Sequence, residues 1–228
     1  MLNSLSILIP AFRDEDTISK VVKEADKVGS KVAKKHEIIV INDASPDKLE
    51  EVLVRLKSQY KNLKVITHKE NKGYGQTIKE LYYLAINEWF FTVPGDNQIP
   101  PGELEKLEEH SQEADMIIGW RVSRHDSESR LFQSAIYNGL LRILFGVGIH
   151  DINSVRLAKT TILKAVNLRM TSAFVDAELT ISTMRKGFRV IEVPINHQAR
   201  YGTGAGGGSL KTILPTIAEL FKYWLIKM

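Results

Sequence analysis

Two apolar runs in this chain each deliver an aspartate as the run ends: HEIIVIND places Asp43 after residues 38–41, and FFTVPGDNQ places Asp96 after residues 90–93. A third run, SLSILIPAFRDE, ends the same way at Asp14 and Glu15. Where parallel strands share a sheet, their carboxyl ends open on one crevice, so acids far apart in sequence can meet there around a single ligand. Carboxylates gathered in this way suit a hard divalent cation on the oxygens of a nucleotide diphosphate. Asp96 and Gln98, at alternating positions beyond the fourth strand, are the expected metal ligands. Two plainer readings stand beside these: Asp96 as a turn residue in PGDNQ, and Asp43 as a helix-capping acid before SPD.

The elements that must position these acids follow from patterning. Runs rich in β-branched residues alternate with segments of helical period, which is the arrangement of stacked strand–helix–strand units in an α/β fold. Strands are predicted over 5–9, 36–41, 63–67, 89–93, 116–119 and 188–195. The first helix is predicted over 15–28, with Ile18, Val21, Val22 and Ala25 three and four apart. Ser45 is read as the cap and Pro46 as the first residue of a second helix, whose buried stripe is Leu49, Val52, Leu53 and Leu56. Further helices are predicted over 76–87, 101–113 and 177–186. Beyond Gly119 the rhythm changes: Arg121, Arg124 and Arg130, with His125 able to join them, precede an amphipathic stretch over 131–145. The tract YGTGAGGGS over 201–209 is too rich in glycine for regular structure. In the tail, Ile217, Leu220, Phe221, Trp224 and Leu225 share one side. A helix from Pro215 onward would measure about 21 Å against a bilayer core of about 30 Å, so it would lie on a membrane and not cross it.

Composition bounds the rest. With 228 residues and 43% hydrophobic content, the chain can build one sizeable core. It has no cysteine, which excludes disulfides and thiolate metal sites and fits a reducing compartment. The amino terminus reads as a first strand and not a signal peptide, and no run reaches the roughly 18 apolar residues of a spanning helix. A net charge of +4 is compatible with phosphate-bearing partners and too small to argue for nucleic acid. No G-x-G-x-x-G follows the first strand, which disfavours a Rossmann dehydrogenase. A sugar-nucleotide pyrophosphorylase would show a glycine-rich basic loop where PAFRDE stands.

The strings PAFRDE, VINDASPD, NKGYGQ, GDNQIPP, GWR, DIN, FVDAEL and EVPINHQAR occur in order along the chain. Together they resemble the family-2 glycosyltransferases, in particular the branch of dolichyl-phosphate mannose and polyprenyl-phosphate sugar synthases. The resemblance implies a glycosyltransferase-A fold, a single Rossmann-like, mostly parallel sheet flanked by helices. It also implies a UDP- or GDP-hexose donor, Mg²⁺ or Mn²⁺, and inversion at the sugar carbon. Residues 1–208 are read as the catalytic domain and 209–228 as an amphipathic helical tail.

Under this resemblance Pro10, Phe12, Asp14, Glu15, Asp43, Gly73, Gly75 and Asp96 surround the donor, and Asp151 is the candidate general base. Arg200 would pair with the diphosphate through its planar fork, with the glycine tract behind it as a lid. Arg121, Arg124, Arg130 and Ser134 match the residues that receive a lipid phosphate. Asp176 and Glu178 are the next candidates for base, with the plainer role of first-turn acids in a helix. His197 is read as a packed or capping histidine.

Three departures stand out. Pro94 replaces an acid two residues before Asp96, Phe12 and Arg13 stand where relatives often have Tyr and Asn, and the segment after Asp151 is one residue shorter. Loss of the acid at Pro94 motivates the alternative of a non-catalytic nucleotide-sugar-binding protein or scaffold. The expected place is the cytoplasmic face of a membrane, held peripherally, and a homo-oligomer or membrane-protein partner is compatible with the sequence.

Overall fold

The structure is a computed structural model describing residues 1–122, 128–199 and 210–227. The first half alternates as expected: β1 (Leu2–Ala11), α1 (Ile18–Val32), β2 (Ala33–Asn42), α2 (Leu49–Gln59), β3 (Leu63–Thr67), α3 (Tyr74–Leu84) and β4 (Trp89–Thr92). A 3₁₀ turn at Pro101–Glu103 leads into α4 (Leu104–Glu108), β5 (Met116–Arg121) and α5 (Glu128–Phe145). The chain continues through β6 (Arg156–Lys159), α6 (Thr160–Ala165), α7 (Val175–Arg185), β7 (Val190–Ile195) and α8 (Leu210–Lys227).

The seven strands form one sheet in the order β3-β2-β1-β4-β6-β5-β7. All pairings are parallel except those of β6, which runs antiparallel to both β4 and β5. Both faces are covered, which is why the central strands read as unbroken apolar runs. The two-residue period still sorts them: Ile7, Ile9, Ile38 and Val40 point to the layer of α1 and α2, and Leu8, Ile39 and Ile41 to that of α3 and α7. A third cluster joins α5, α7 and α8 through Leu141, Phe174, Ile181, Leu220 and Tyr223. No described helix is long and apolar enough to cross a membrane.

Several boundaries depart from the expectations. β6 and α6 were not anticipated. The second helix starts at Leu49 and not at Pro46, because Ser45 is engaged elsewhere: its amide donates to Asn42 Oδ1 (3.0 Å) and its hydroxyl to Asp47 Oδ1 (2.6 Å). Asp47 Oδ1 instead accepts the Leu49 amide at 3.2 Å. The helix expected over 101–113 splits at Leu104. The apolar stripe expected on the tail divides between two sides of α8, since Leu220 and Tyr223 are buried while Leu214, Phe221 and Leu225 are exposed.

β6 brings a charge into the core. Arg156 is 0% exposed, and its guanidinium pairs with Asp176 Oδ1 at 3.3 Å while donating to the carbonyls of Asp176 and Ile152, each at 2.9 Å. Asp176 also accepts from the hydroxyls of Tyr82 (2.6 Å) and Tyr74 (2.7 Å). Burial alone would favour loss of the Arg156 proton, but Asp176 and the tyrosines reverse this and raise its pKa. Arg156→Met should therefore cost about 3–5 kcal/mol in urea unfolding, because it strands a buried carboxylate. Pairing it with Asp176→Leu should recover part of that loss.

Candidate active site at the carboxyl ends of the strands

β1 leads to β2 on one side and β4 lies on its other side, so the strand order reverses at β1, and a crevice opens beyond the carboxyl ends there. A cleft of about 640 Å³ occupies this place. It is lined by Pro10, Phe12 and Asp14 after β1, Asp43 after β2, Gly73 and Gly75 before α3, Asp96 and Gln98 after β4, and by Arg121 and Arg130. Glu15, Ser134 and Asp151 do not line it. Arg124 and Arg200 lie outside the described residues.

The acids are set in strained turns. Arg13, Ala44 and Asn97 adopt φ values of 58°, 51° and 56°, each next to one of Asp14, Asp43 and Asp96. Left-handed backbone in residues with a Cβ costs on the order of 1 kcal/mol or more each and persists where surrounding contacts impose it. Here the contacts lie within each turn and between neighbouring strand-end loops. Asp14 Oδ2 accepts the Phe12 amide (3.0 Å), the Arg13 amide donates to Ser45 Oγ (2.7 Å), and Gln98 N donates to Asp96 Oδ1 (3.0 Å). Thr17 Oγ1 clamps the β4 turn by donating to the Gly95 carbonyl at 2.7 Å.

Glu15 joins two loops: it accepts the Lys48 amide (2.7 Å) while its own amide donates to Asp47 (3.2 Å). Asp43 is 4% exposed and shapes the loop before α3, accepting the amides of Lys72 and Gly73, each at 2.8 Å. It is therefore not a cap for α2.

The two glycines differ in purpose. Gly73 has φ 81° with open space where a Cβ would stand, so backbone conformation selects it. At Gly75 a Cβ would fall 2.1 Å from the Ser172 carbonyl oxygen and 2.2 Å from that of Thr171. The close approach that Gly75 permits is thus by the chain's own 171–172 loop. That loop is pinned from α8, where Glu219 accepts the amides and hydroxyls of Thr171 and Ser172.

Asp151 is 4% exposed, and both of its oxygens are engaged by Arg121, Nε to Oδ2 at 2.6 Å and Nη2 to Oδ1 at 2.7 Å. Glu192 orients this pair by accepting the Asp151 amide at 3.2 Å. The other two candidate bases are buried away from the cleft. Asp176 belongs to the Arg156 pair, and Glu178 accepts the amides of Arg169 and Met170. Burial raises the Glu178 carboxyl despite those amides.

Sequence reading missed Lys72, Tyr74, Asn153, Ser154, Thr171 and Ser172 in the cleft wall, and it read His197, which also lines the cleft, as packing. Lys72, Tyr74 and Asn153 lie in the motif strings but were given no role, and the packing of α3, β6, α7 and α8 brings these residues to the wall.

A family model described as glycosyl transferase family 2 matches residues 6–165. The chain belongs to that family. An undecaprenyl-phosphate 4-deoxy-4-formamido-L-arabinose transferase of Edwardsiella ictaluri (strain 93-146) is 28% identical over 214 residues, 92% of this chain and 64% of that relative. The chain thus spans somewhat under two thirds of that relative's length. Glucosyl-3-phosphoglycerate synthase from Mycobacterium tuberculosis, solved with Mn²⁺, UDP and phosphoglyceric acid, is similar with a TM-score of 0.75 at 15% identity, over 97% of this chain and 78% of that one. The same enzyme with Mg²⁺ and UDP gives a TM-score of 0.72 at 14% identity, over 96% of this chain and 79% of that one. This likeness shows the fold, and the expectation of a glycosyltransferase-A sheet holds.

Among the described residues no group of three or more His, Asp or Glu side chains could hold a metal by itself. Asp96 and Gln98 nevertheless offer a carboxylate and an amide oxygen to one cleft. That set fits a hard cation which completes its shell with substrate phosphate and water.

Gly75→Ala should lower the unfolding free energy by about 1–3 kcal/mol, since backbone must move to admit the methyl group. Gly139→Ala in α5, with nothing within 4 Å of the added carbon, should be neutral or stabilising by about 0.5–1 kcal/mol. Urea titrations of both variants check the contrast.

Proposed function

We propose that this glycosyltransferase moves a hexose, with inversion, from a UDP- or GDP-sugar to a polyprenyl phosphate at the cytoplasmic face of a membrane. One observation carries the reading: strand-end acids Asp14, Asp43 and Asp96 share a single cleft with the cations Arg121 and Arg130. The acids suit a cation-bound donor and the arginines an anionic acceptor.

Asp43 and the 71–73 loop would border the base and ribose, with Pro10 and Phe12 beside them. Asp96 and Gln98 would hold Mg²⁺ or Mn²⁺ against the diphosphate. The cation, when bound, would offset the charge that builds on phosphate as the sugar departs. Arg200 would add a guanidinium to the same oxygens. Support comes from the relative named as an undecaprenyl-phosphate sugar transferase and from the neighbours crystallised with UDP and Mn²⁺ or Mg²⁺.

Asp151 takes its place from the acceptor. To deprotonate a hydroxyl it would have to release Arg121. A phosphate monoester is already anionic and needs no such base. Asp151 then serves to aim Arg121, with Arg130, Arg124 and Ser134 completing the phosphate site. The flanking helices suit a lipid: α5 exposes Phe132 (68%), Ile136 (50%) and Ile143 (80%), and α8 exposes Leu214 (63%) and Leu225 (67%). Residues 1–208 would be the catalytic unit and 209–228 the surface-lying tail.

A panel of UDP- and GDP-sugars with undecaprenyl and dolichyl phosphate tests the proposal. Product with a soluble acceptor alone would end the lipid assignment. Asp96→Ala should lower turnover at least about 100-fold with its thermal midpoint nearly unchanged, and chelation of divalent cations should do the same to the wild type. Turnover retained in Asp96→Ala would refute its metal role. Arg121→Gln should raise the acceptor KM about tenfold or more and leave the donor KM near its original value.

A further inference from the structure

His68 stands just beyond β3 with a side chain only 4% exposed, and it does not line the cleft. Both ring nitrogens face carboxylates, Nδ1 at 2.8 Å from Asp43 Oδ1 and Nε2 at 2.8 Å from Glu80 Oε2. A neutral imidazole owns one N–H and would turn a lone pair toward one of these anions, whereas the imidazolium donates to both. The Asp43 carboxylate that takes one of these protons also accepts the amides of Lys72 and Gly73, and the Asn71 side chain donates to the Asp43 carbonyl at 3.0 Å.

We propose that His68 is a positioning residue of the donor site: set between Asp43 and Glu80, it fixes the carboxylate that holds the 71–73 loop, and its removal loosens that loop and weakens nucleotide binding. This rests on the reading of the cleft as a nucleoside diphosphate site.

The charged groups around the ring are Asp43 from the end of β2, Glu80 from α3, and Lys72, whose ammonium meets Glu80 Oε1 at 3.0 Å. Burial pushes the Glu80 carboxyl up, but hydrogen bonds from Gln76, Lys72 and His68 outweigh it and hold the pKa at about 2. Glu80 is therefore a firm anionic anchor on α3, and Asp43 is fixed by backbone amides on its other side.

Two measurements on the full chain test this. Kd for UDP or GDP should rise about fivefold or more in His68→Phe, and His68→Gln, which keeps one hydrogen-bond donor, should recover part of that loss. The backbone amide resonances of Lys72 and Gly73 should be displaced in His68→Phe and return toward their wild-type positions in His68→Gln. The inference is overturned if Kd stays at its wild-type value in His68→Phe, or if those amides do not move. If the amides move while neither nucleotide binds the wild type, the coupling stands and the nucleotide reading of the cleft fails.

Discussion

A fully buried guanidinium is tolerable only where its charge is paired and its terminal N–H groups find acceptors, and Arg156, whose Nη1 and Nη2 are so engaged while Nε is not, imposes that condition on three elements at once. Its own strand β6 supplies the carbon frame, α7 supplies Asp176, and α3 answers through Tyr74 and Tyr82. Removing Arg156 or Asp176 would leave a charge without a partner in a region that water does not reach, at several kcal/mol. The spacing of α3, β6 and α7 is thus constrained by polar complementarity as well as by apolar packing. The loops that these elements carry, at Tyr74–Gly75, Asn153–Ser154 and Thr171–Ser172, form one wall of the cleft. A network beneath the floor sets the width of the site.

The opposite wall depends on strain held by hydrogen bonds. Three parallel strands end in left-handed residues, and at each end an aspartate carboxylate accepts a nearby backbone amide. The same carboxylates that are candidates for ligand contact are therefore part of the scaffold. A carboxylate has about four acceptor positions, so one or two backbone amides leave room for a ligand. Acids fixed by backbone amides need little reordering when a substrate arrives, which is the advantage of a prearranged polar site.

What could be read from the sequence follows from the same physics. Strands buried on both faces announce themselves as apolar runs, and β1, β2, β4 and β5 were legible for that reason, as was the gathering of Asp14, Asp43, Asp96 and Gln98 at strand ends; the edge strands β3 and β7, only partly buried, were legible from their β-branched residues. β6 was not, because RLAK is short, places a buried arginine where an apolar residue is expected, and gains its partners from Asp176 and Thr92, both far away in sequence. Ser45 showed the composition of a helix cap, yet the tertiary pull of Asn42, Arg13 and Asp47 took its groups first. Gly75 announced a close approach without revealing by what, since the Thr171–Ser172 backbone arrives from nearly a hundred residues later. His68 carried no motif at all. Its significance appears only once β2 and α3 bring a carboxylate to each ring nitrogen.

The pairing of Arg121 with Asp151 bears on the choice of acceptor. Two parallel hydrogen bonds to a carboxylate that is 4% exposed hold the guanidinium in one orientation, and Glu192 fixes the carboxylate through its backbone. Breaking a bidentate pair of this burial to free a base would cost several kcal/mol in every catalytic cycle. A neutral hydroxyl acceptor requires that cost, because its proton must go somewhere as the new bond forms. An acceptor that arrives as a phosphate monoester does not. It brings its own nucleophilic oxygen, and Arg121 is already held in place by Asp151. The geometry of this pair is thus better suited to orienting an anion than to accepting a proton, which is the physical argument behind the proposed phosphate acceptor.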